Sequence, residues 1–161
     1  MKGAAETTPA TRNVVALGLT SFFNDTATEL AYWILPLFLT GPLGAGAAAL
    51  GWIEGVAEGA ASFGRVLAGW WTDRVGRRKP FVVAGYLVAN AVKPLLGWVS
   101  SPLQVLAIRA ADRLSKGVRT APRDAMLAES AQASRRGAAF GFRQAMDSAG
   151  AVLGPLAAFL L

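Results

Sequence analysis

Apolar residues dominate this chain in five long stretches, separated by short polar or glycine-rich breaks. A membrane-spanning helix needs about 20 mostly apolar residues, and each stretch reaches that length. The pattern predicts helices over about 13–40, 47–71, 81–99, 103–125 and 138–161, here called spans 1–5, behind a polar tail at 1–12. Val14–Phe23 alone resembles the apolar core of a signal peptide. The apolar pattern resumes after Asn24-Asp25 and continues to Leu39, however, which suits one long helix better. Pro36 falls near the outer end of span 1, and Pro94, inside span 3, should kink its helix. Gly51, Gly55 and Gly59 in span 2 repeat every four residues, a spacing that lets membrane helices approach closely. The expected fold class is an all-α membrane protein of about five transmembrane helices.

Composition supports this reading. Of the 161 residues, 53% are hydrophobic and only 16% are charged, against about 25% charged in a typical soluble domain. Mean hydropathy is +0.40. The net charge of +6 would suggest nucleic acid in a soluble protein. Here the cations gather beside apolar runs instead, so lipid rather than nucleic acid is the expected partner. The chain has no Cys and no His. That leaves no disulfide framework and no thiolate metal site, and no metal or cofactor is expected. Proton chemistry near neutral pH would fall to carboxylates.

The loops sort by charge. Gly41–Gly46 and Ser100–Pro102 carry none, whereas the turn after span 2 carries Arg74, Arg77, Arg78 and Lys79. The connection before span 5 adds Arg123, Arg135 and Arg136. An N-terminus on the cytoplasmic side places every basic loop inside and both uncharged turns outside, as the positive-inside rule requires. A multi-pass protein of the inner (plasma) membrane is expected.

Ionisable groups also occur within the spans, where each costs about 2.5–3.5 kcal/mol to insert and suggests function by default. Span 1 holds Asn24, Asp25, Thr28 and Glu29. Asp25 and Glu29 are four residues apart and share a face. Two carboxylates in low dielectric cannot both ionise cheaply, which suits a proton or cation site; neutralisation by arginines of a neighbouring span is the other reading. Glu54 and Glu58 in span 2 have the same spacing, although Glu54 could simply be solvated near the outer end. In span 4, Arg109, Asp112, Arg113 and Lys116 form one stripe, which must face a watery cavity or partner acids. Asp25 and Glu29 are the expected partners, and a structural salt-bridge ladder is the alternative. Arg143 and Asp147 in span 5 can pair with each other. Lys93, beside Pro94, is isolated and is expected to snorkel or to find a carboxylate. The chain shows no nucleophile–base set and no phosphate-binding glycine loop, so an enzyme is not expected.

Three motifs resemble those of the major facilitator superfamily of secondary transporters, specifically its N-terminal half. Gly69-x-x-x-Asp73-Arg74-x-Gly76-Arg77-Arg78 resembles the superfamily's cytoplasmic loop between spans 2 and 3. Arg113-x-x-x-Gly117 in span 4 is similar to the motif whose buried arginine is linked to proton coupling. Gly141, followed by Gly150-x-x-x-Gly154-Pro155, is spaced like the span 5 motif of the antiporter branch, although Ala158-Phe159 stands where that pattern ends in a glycine pair. Ser21-Phe22-Phe23-Asn24-Asp25 with Glu29 also resembles a bacterial branch of presumed exporters.

The resemblance implies an incomplete N-terminal six-helix bundle. Its members carry twelve spans in two bundles that rock about a midplane site. The second bundle, in cis or on another chain, is therefore an implied partner. The implied activity is transport of a small solute, most simply proton-coupled efflux or antiport. Symport uptake and a non-transporting assembly protein are the alternatives. Asp25 and Glu29 would exchange protons, and Arg109 and Arg113 would tune them and hold an anionic group. Gly150, Gly154 and Pro155 would pack span 5 against the opposite bundle. Asp73 would meet a helix N-terminus of that bundle. Asp124 is the candidate local acid for Arg77.

Overall fold

The computed structural model describes residues 9–160. Most of the expected tail therefore lies outside the described residues, and its last positions are already helical. The first helix, α1 (Pro9–Trp33), runs unbroken through Asn24-Asp25. Ile34 separates it from the short α2 (Leu35–Thr40). Pro36 causes this break, because it has no N–H to offer the carbonyl of Tyr32 one turn back. After the uncharged turn, α3 (Ala47–Val75) crosses the whole bundle. Gly76 ends it with φ of +66°, its N–H bonded to Thr72 O at 2.9 Å; glycine adopts this left-handed C-cap without a Cβ penalty. Then α4 (Lys79–Val92) gives way to a 3-10 segment, Lys93–Trp98, at Pro94. Next, α5 (Pro102–Ser130) is capped by Ser101, whose side chain accepts from Gln104 N. It continues past the expected end at 125, through Pro122, because Ala125–Glu129 are strong helix formers. A 3-10 turn at Ala133–Arg135 then leads into α6 (Arg136–Leu160).

Helix α5 is the hub: α3 packs along one side of it and α4 along another, while α1 pairs with α6. Small residues permit each seam. A Cβ on Gly64 would lie 2.9 Å from Leu114 O, and one on Gly85 2.9 Å from Ser115 O. By contrast, Cβ atoms on Gly51, Gly55 and Gly59 would meet nothing within 4 Å. The four-residue glycine repeat therefore makes no close approach among the described residues. The α3–α5 seam runs further along, at Gly64 and Gly117.

The distribution of side chains is inverted relative to a water-soluble protein. Trp52, Leu37, Trp98 and Phe159 are each at least 74% exposed, whereas Arg109, Asp112, Arg119 and Arg123 are at most 7% exposed. Such an exterior is stable against hydrocarbon rather than water. Tyr32, Leu35, Leu39, Ile53 and Val105 form an apolar core at the end bearing the uncharged turns. The buried charges lie in the rest of the interior, among apolar residues such as Ala57, Val82, Ala89 and Leu127. For that reason only Lys79–Trp98 passes a hydropathy test for a span on composition alone, among the described residues. The other long helices carry interior charges that lower their average.

Candidate functional site

The ionisable stripe of α5 fans out. Successive helical residues lie about 100° apart, so Asp112 and Arg113 address different neighbours. On the α3 side, Arg109 forms a two-pronged pair with Glu54: Nε donates to Oε1 and Nη2 to Oε2, both at 2.8 Å. Its guanidinium also stacks 3.8 Å from the Tyr32 ring centroid. One turn inward, Arg113 lies 3.3 Å from Glu58. This corrects the expected pairing of the stripe. The acids that meet Arg109 and Arg113 come from α3, because α5 packs closely on α3, whereas its contact with α1 is slight. Glu54 is an ion-pair partner, not merely a solvated acid.

On the opposite side of the fan, Asp112 faces Lys93, whose Nζ lies 3.4 Å from its Oδ1. Both are buried. Lys93 also donates to Asn24 Oδ1 at 3.2 Å, and Asn24 Nδ2 donates to Asp25 Oδ1 at 3.2 Å. Four polar side chains from three elements thus form one chain. Lys93 thus finds a carboxylate rather than snorkelling; no functional role is legible for it from sequence, where the signal is a lysine directly before a proline inside an apolar span. Glu29 lies one turn beyond Asp25, half-buried on the seam with α6. Among the described residues, neither Asp25 nor Glu29 closes an ion pair.

Further inward, Arg119 is buried with no carboxylate within 4 Å among the described residues, 4.5 Å over the Tyr86 ring, with Nη1 3.4 Å from Gly85 O. Arg123 donates from Nη1 to Ser21 Oγ at 3.0 Å and from Nε to Asp124 at 3.3 Å. Ser21 Oγ is also 3.0 Å from Tyr86 Oη. Two arginines, a tyrosine and a serine therefore tie α5 to α1 and α4. Lys116 is half-buried.

In α6, Arg143 donates to Asp147 at 2.7 Å, the expected pair within one helix. Gly150 and Gly154 face α1: added Cβ atoms would lie 2.7 Å from Phe22 O and 2.5 Å from Glu29 Cβ respectively. Within this chain the groove that needs them is the α1 backbone, whereas their expected contact with an opposite bundle involves residues beyond those described. Pro155 is half-buried beside Gly154. A Cβ on Gly141 would meet nothing within 4 Å.

At the basic turn, Arg78 pairs with Glu129 at the end of α5 and lies 3.9 Å from Asp73. The hydrogen bond to Glu129 pushes the Arg78 guanidinium above its ordinary range. Arg77 is exposed. The expected Arg77–Asp124 contact is replaced by Arg123–Asp124, because Asp124 is adjacent to a buried guanidinium. Arg74 lies 4.0 Å over Trp70, one turn earlier in α3. Gly69 makes an ordinary contact, a Cβ there falling 3.8 Å from Ala121. Asp73 remains 74% exposed, at the rim of a cleft of about 400 Å³ shared with Thr72, Lys79 and Met126.

Comparison with known proteins agrees with this architecture. The family model described as Major Facilitator Superfamily matches residues 17–161. An uncharacterised MFS-type transporter of Methanocaldococcus jannaschii is 42% identical over 143 residues, covering 89% of this chain and 35% of that protein. Uncharacterised proteins of Mycobacterium bovis and Mycobacterium tuberculosis are each 34% identical over 151 residues, covering 91% of this chain and 36% of theirs. The chain thus spans about a third of the length of the curated relatives it matches. With the loop and helix motifs in place on a helical bundle, the chain belongs to the major facilitator superfamily of membrane-embedded transporters.

Proposed function

We propose that this chain is the N-terminal portion of a proton-coupled exporter or antiporter of a small solute. It works against a second helical bundle that supplies the other wall of the cavity, and its N-terminus and basic turns lie on the cytoplasmic side of the plasma membrane. The observation that carries the proposal is the contrast between the acids. Glu54, Glu58, Asp112, Asp124 and Asp147 all lie within 4 Å of a cation, whereas among the described residues Asp25 and Glu29 do not. An acid already held by a cation is a poor proton carrier, because the attraction favours its charged form. The two α1 acids are free to load and unload. Arg109 and Arg113 hold the α3–α5 wall rather than the α1 acids, so their part in coupling is to fix the electrostatic background of the cavity.

The test uses everted membrane vesicles containing the protein encoded by the full natural reading frame. A respiration-driven pH gradient is followed with acridine orange while solutes are added in turn. An exported solute dissipates the gradient in the wild type, and the response is lost in Asp25→Asn/Glu29→Gln. A response of equal size in the double variant overturns the assignment of the coupling acids.

A further inference from the structure

Lys93 lies where span 3 changes from α-helix to 3-10 geometry, with Pro94 next to it. It is 8% exposed and Asp112 only 2%. Burying such a pair is worthwhile only when geometry and hydrogen bonding are excellent. Here they are not. The Lys93–Asp112 separation is 3.4 Å, longer than the roughly 2.7–2.9 Å of a strong charge-assisted bond. Asp112 Oδ1 makes no hydrogen bond among the described residues. The hydrogen bond of Lys93 goes instead to Asn24, on the path to Asp25. The ammonium therefore holds Asp112 loosely and reaches Asp25 only through Asn24. It also lines a crevice of about 250 Å³ between the break at Ile34 and the 3-10 segment, together with Leu35, Phe38, Leu96 and Gly97. Space and a helix discontinuity thus coincide at one buried cation.

We infer that Lys93 is a partner-swapping cation, which leans toward Asp25 when that carboxylate is ionised and toward Asp112 when Asp25 is protonated. This deepens the proposed function and rests on it. Lys93 keeps its own proton throughout. The proton carried is that of Asp25, which binds from one side of the membrane and leaves to the other, while the ammonium swings between two oxygens. The 3-10 segment, free of the regular α-helical ladder, gives its backbone room to follow. Other charges bear on the site. Arg119 on α5 acts electrostatically on Lys93, Asp112 and Asp25, and Asp147 on α6, itself paired with Arg143, acts on Asp25. These charges are common to both positions of the lysine. Lys93 is a positioning residue: it acts through Asp25.

The test is an infrared pH titration of the protonated-carboxyl C=O band in the full-length protein in lipid, which needs no solute. Wild type shows a titrating band that Asp25→Asn removes. Lys93→Gln raises its midpoint by about one pH unit or more, since a nearby cation favours the ionised acid. Asp112→Asn lowers the midpoint, since Lys93 is then released to Asp25. Lys93→Arg keeps it near wild type. Fixed charges would give these two signs as well, so the deciding arm is Lys93→Gln/Asp112→Asn, in which both charges are gone. A swap makes the Asp112→Asn shift depend on Lys93, so the double variant keeps a midpoint at or above that of Lys93→Gln, whereas additive shifts in the double variant overturn the swap. Shifts of the same sign, or no shift in Asp112→Asn, overturn the swap. Solute-driven proton movement with unshifted midpoints refutes the swap alone. The predicted shifts without any proton movement refute the transport reading alone.

Discussion

Gly154→Ala should loosen the helix pair that carries Glu29. A Cβ there would lie 2.5 Å from Glu29 Cβ, 2.7 Å from Thr26 O and 2.9 Å from Leu30 N. Carbon atoms pack at about 3.5–4.0 Å, so α6 must retreat from α1 by roughly 1 Å. None of the obstructing atoms is the flexible end of a side chain, so rotation cannot relieve the clash. A gap of 0.5–1 Å forfeits about a quarter to a half of each contact along the seam, and overpacking of this kind typically costs about 1–3 kcal/mol. Replacing glycine in a helix returns at most about 1 kcal/mol of propensity, so the clash wins. Gly141→Ala, in the same helix but facing open space, keeps the propensity gain without the clash. The assay is thermal unfolding of the detergent-solubilised protein, where about 2–4 °C accompanies each kcal/mol for a chain of this size. Gly154→Ala should melt several degrees lower and Gly141→Ala no lower than wild type. Equal stability for the two variants would refute the placement of Gly154 on α1.

Three further outcomes follow from the site. Glu54→Ala leaves the buried Arg109 guanidinium without its two-pronged partner. It should cost about 2–3 kcal/mol, below the usual 3–5 for a fully buried pair, because Glu54 is 37% exposed; denaturant titration measures it. Glu58→Ala, whose side chain is 59% exposed opposite Arg113, should cost under about 1 kcal/mol in the same titration. Gly76→Ala must hold a left-handed φ of +66°. It should destabilise the end of α3 by about 1–2 kcal/mol, read as faster amide hydrogen exchange at Thr72–Val75.

The helices were readable because each apolar run ends at a glycine, a proline or a charge cluster, and the basic turn is marked twice, by composition and by motif. What could not be read was which neighbour each interior charge meets. Periodicity placed Arg109, Asp112, Arg113 and Lys116 on one stripe, yet a stripe about 100° wide can touch two helices at once. Here it does, with Glu54 and Glu58 on α3 on one side and Lys93 on the other. The glycines show the same limit. Spacing alone did not separate Gly51, Gly55 and Gly59, which face open space, from Gly64 and Gly117, which face backbone. Pair choice depends on helix order in the bundle, and that is a long-range property. Lys93 illustrates this: in sequence it is a single charge that can snorkel or find a carboxylate, and only folding brings Asn24 and Asp112 to it.

Coupling by Asp25 and Glu29, the α1 acids that close no ion pair among the described residues, makes solute flux depend on both. The most direct measurement is solute flux in proteoliposomes containing the full-length protein, with and without an imposed pH gradient, using a solute identified in the vesicle assay. The gradient should accelerate wild-type flux, and Asp25→Asn/Glu29→Gln should abolish this acceleration while exchange without a gradient persists. Undiminished acceleration in the double variant would contradict coupling by these acids.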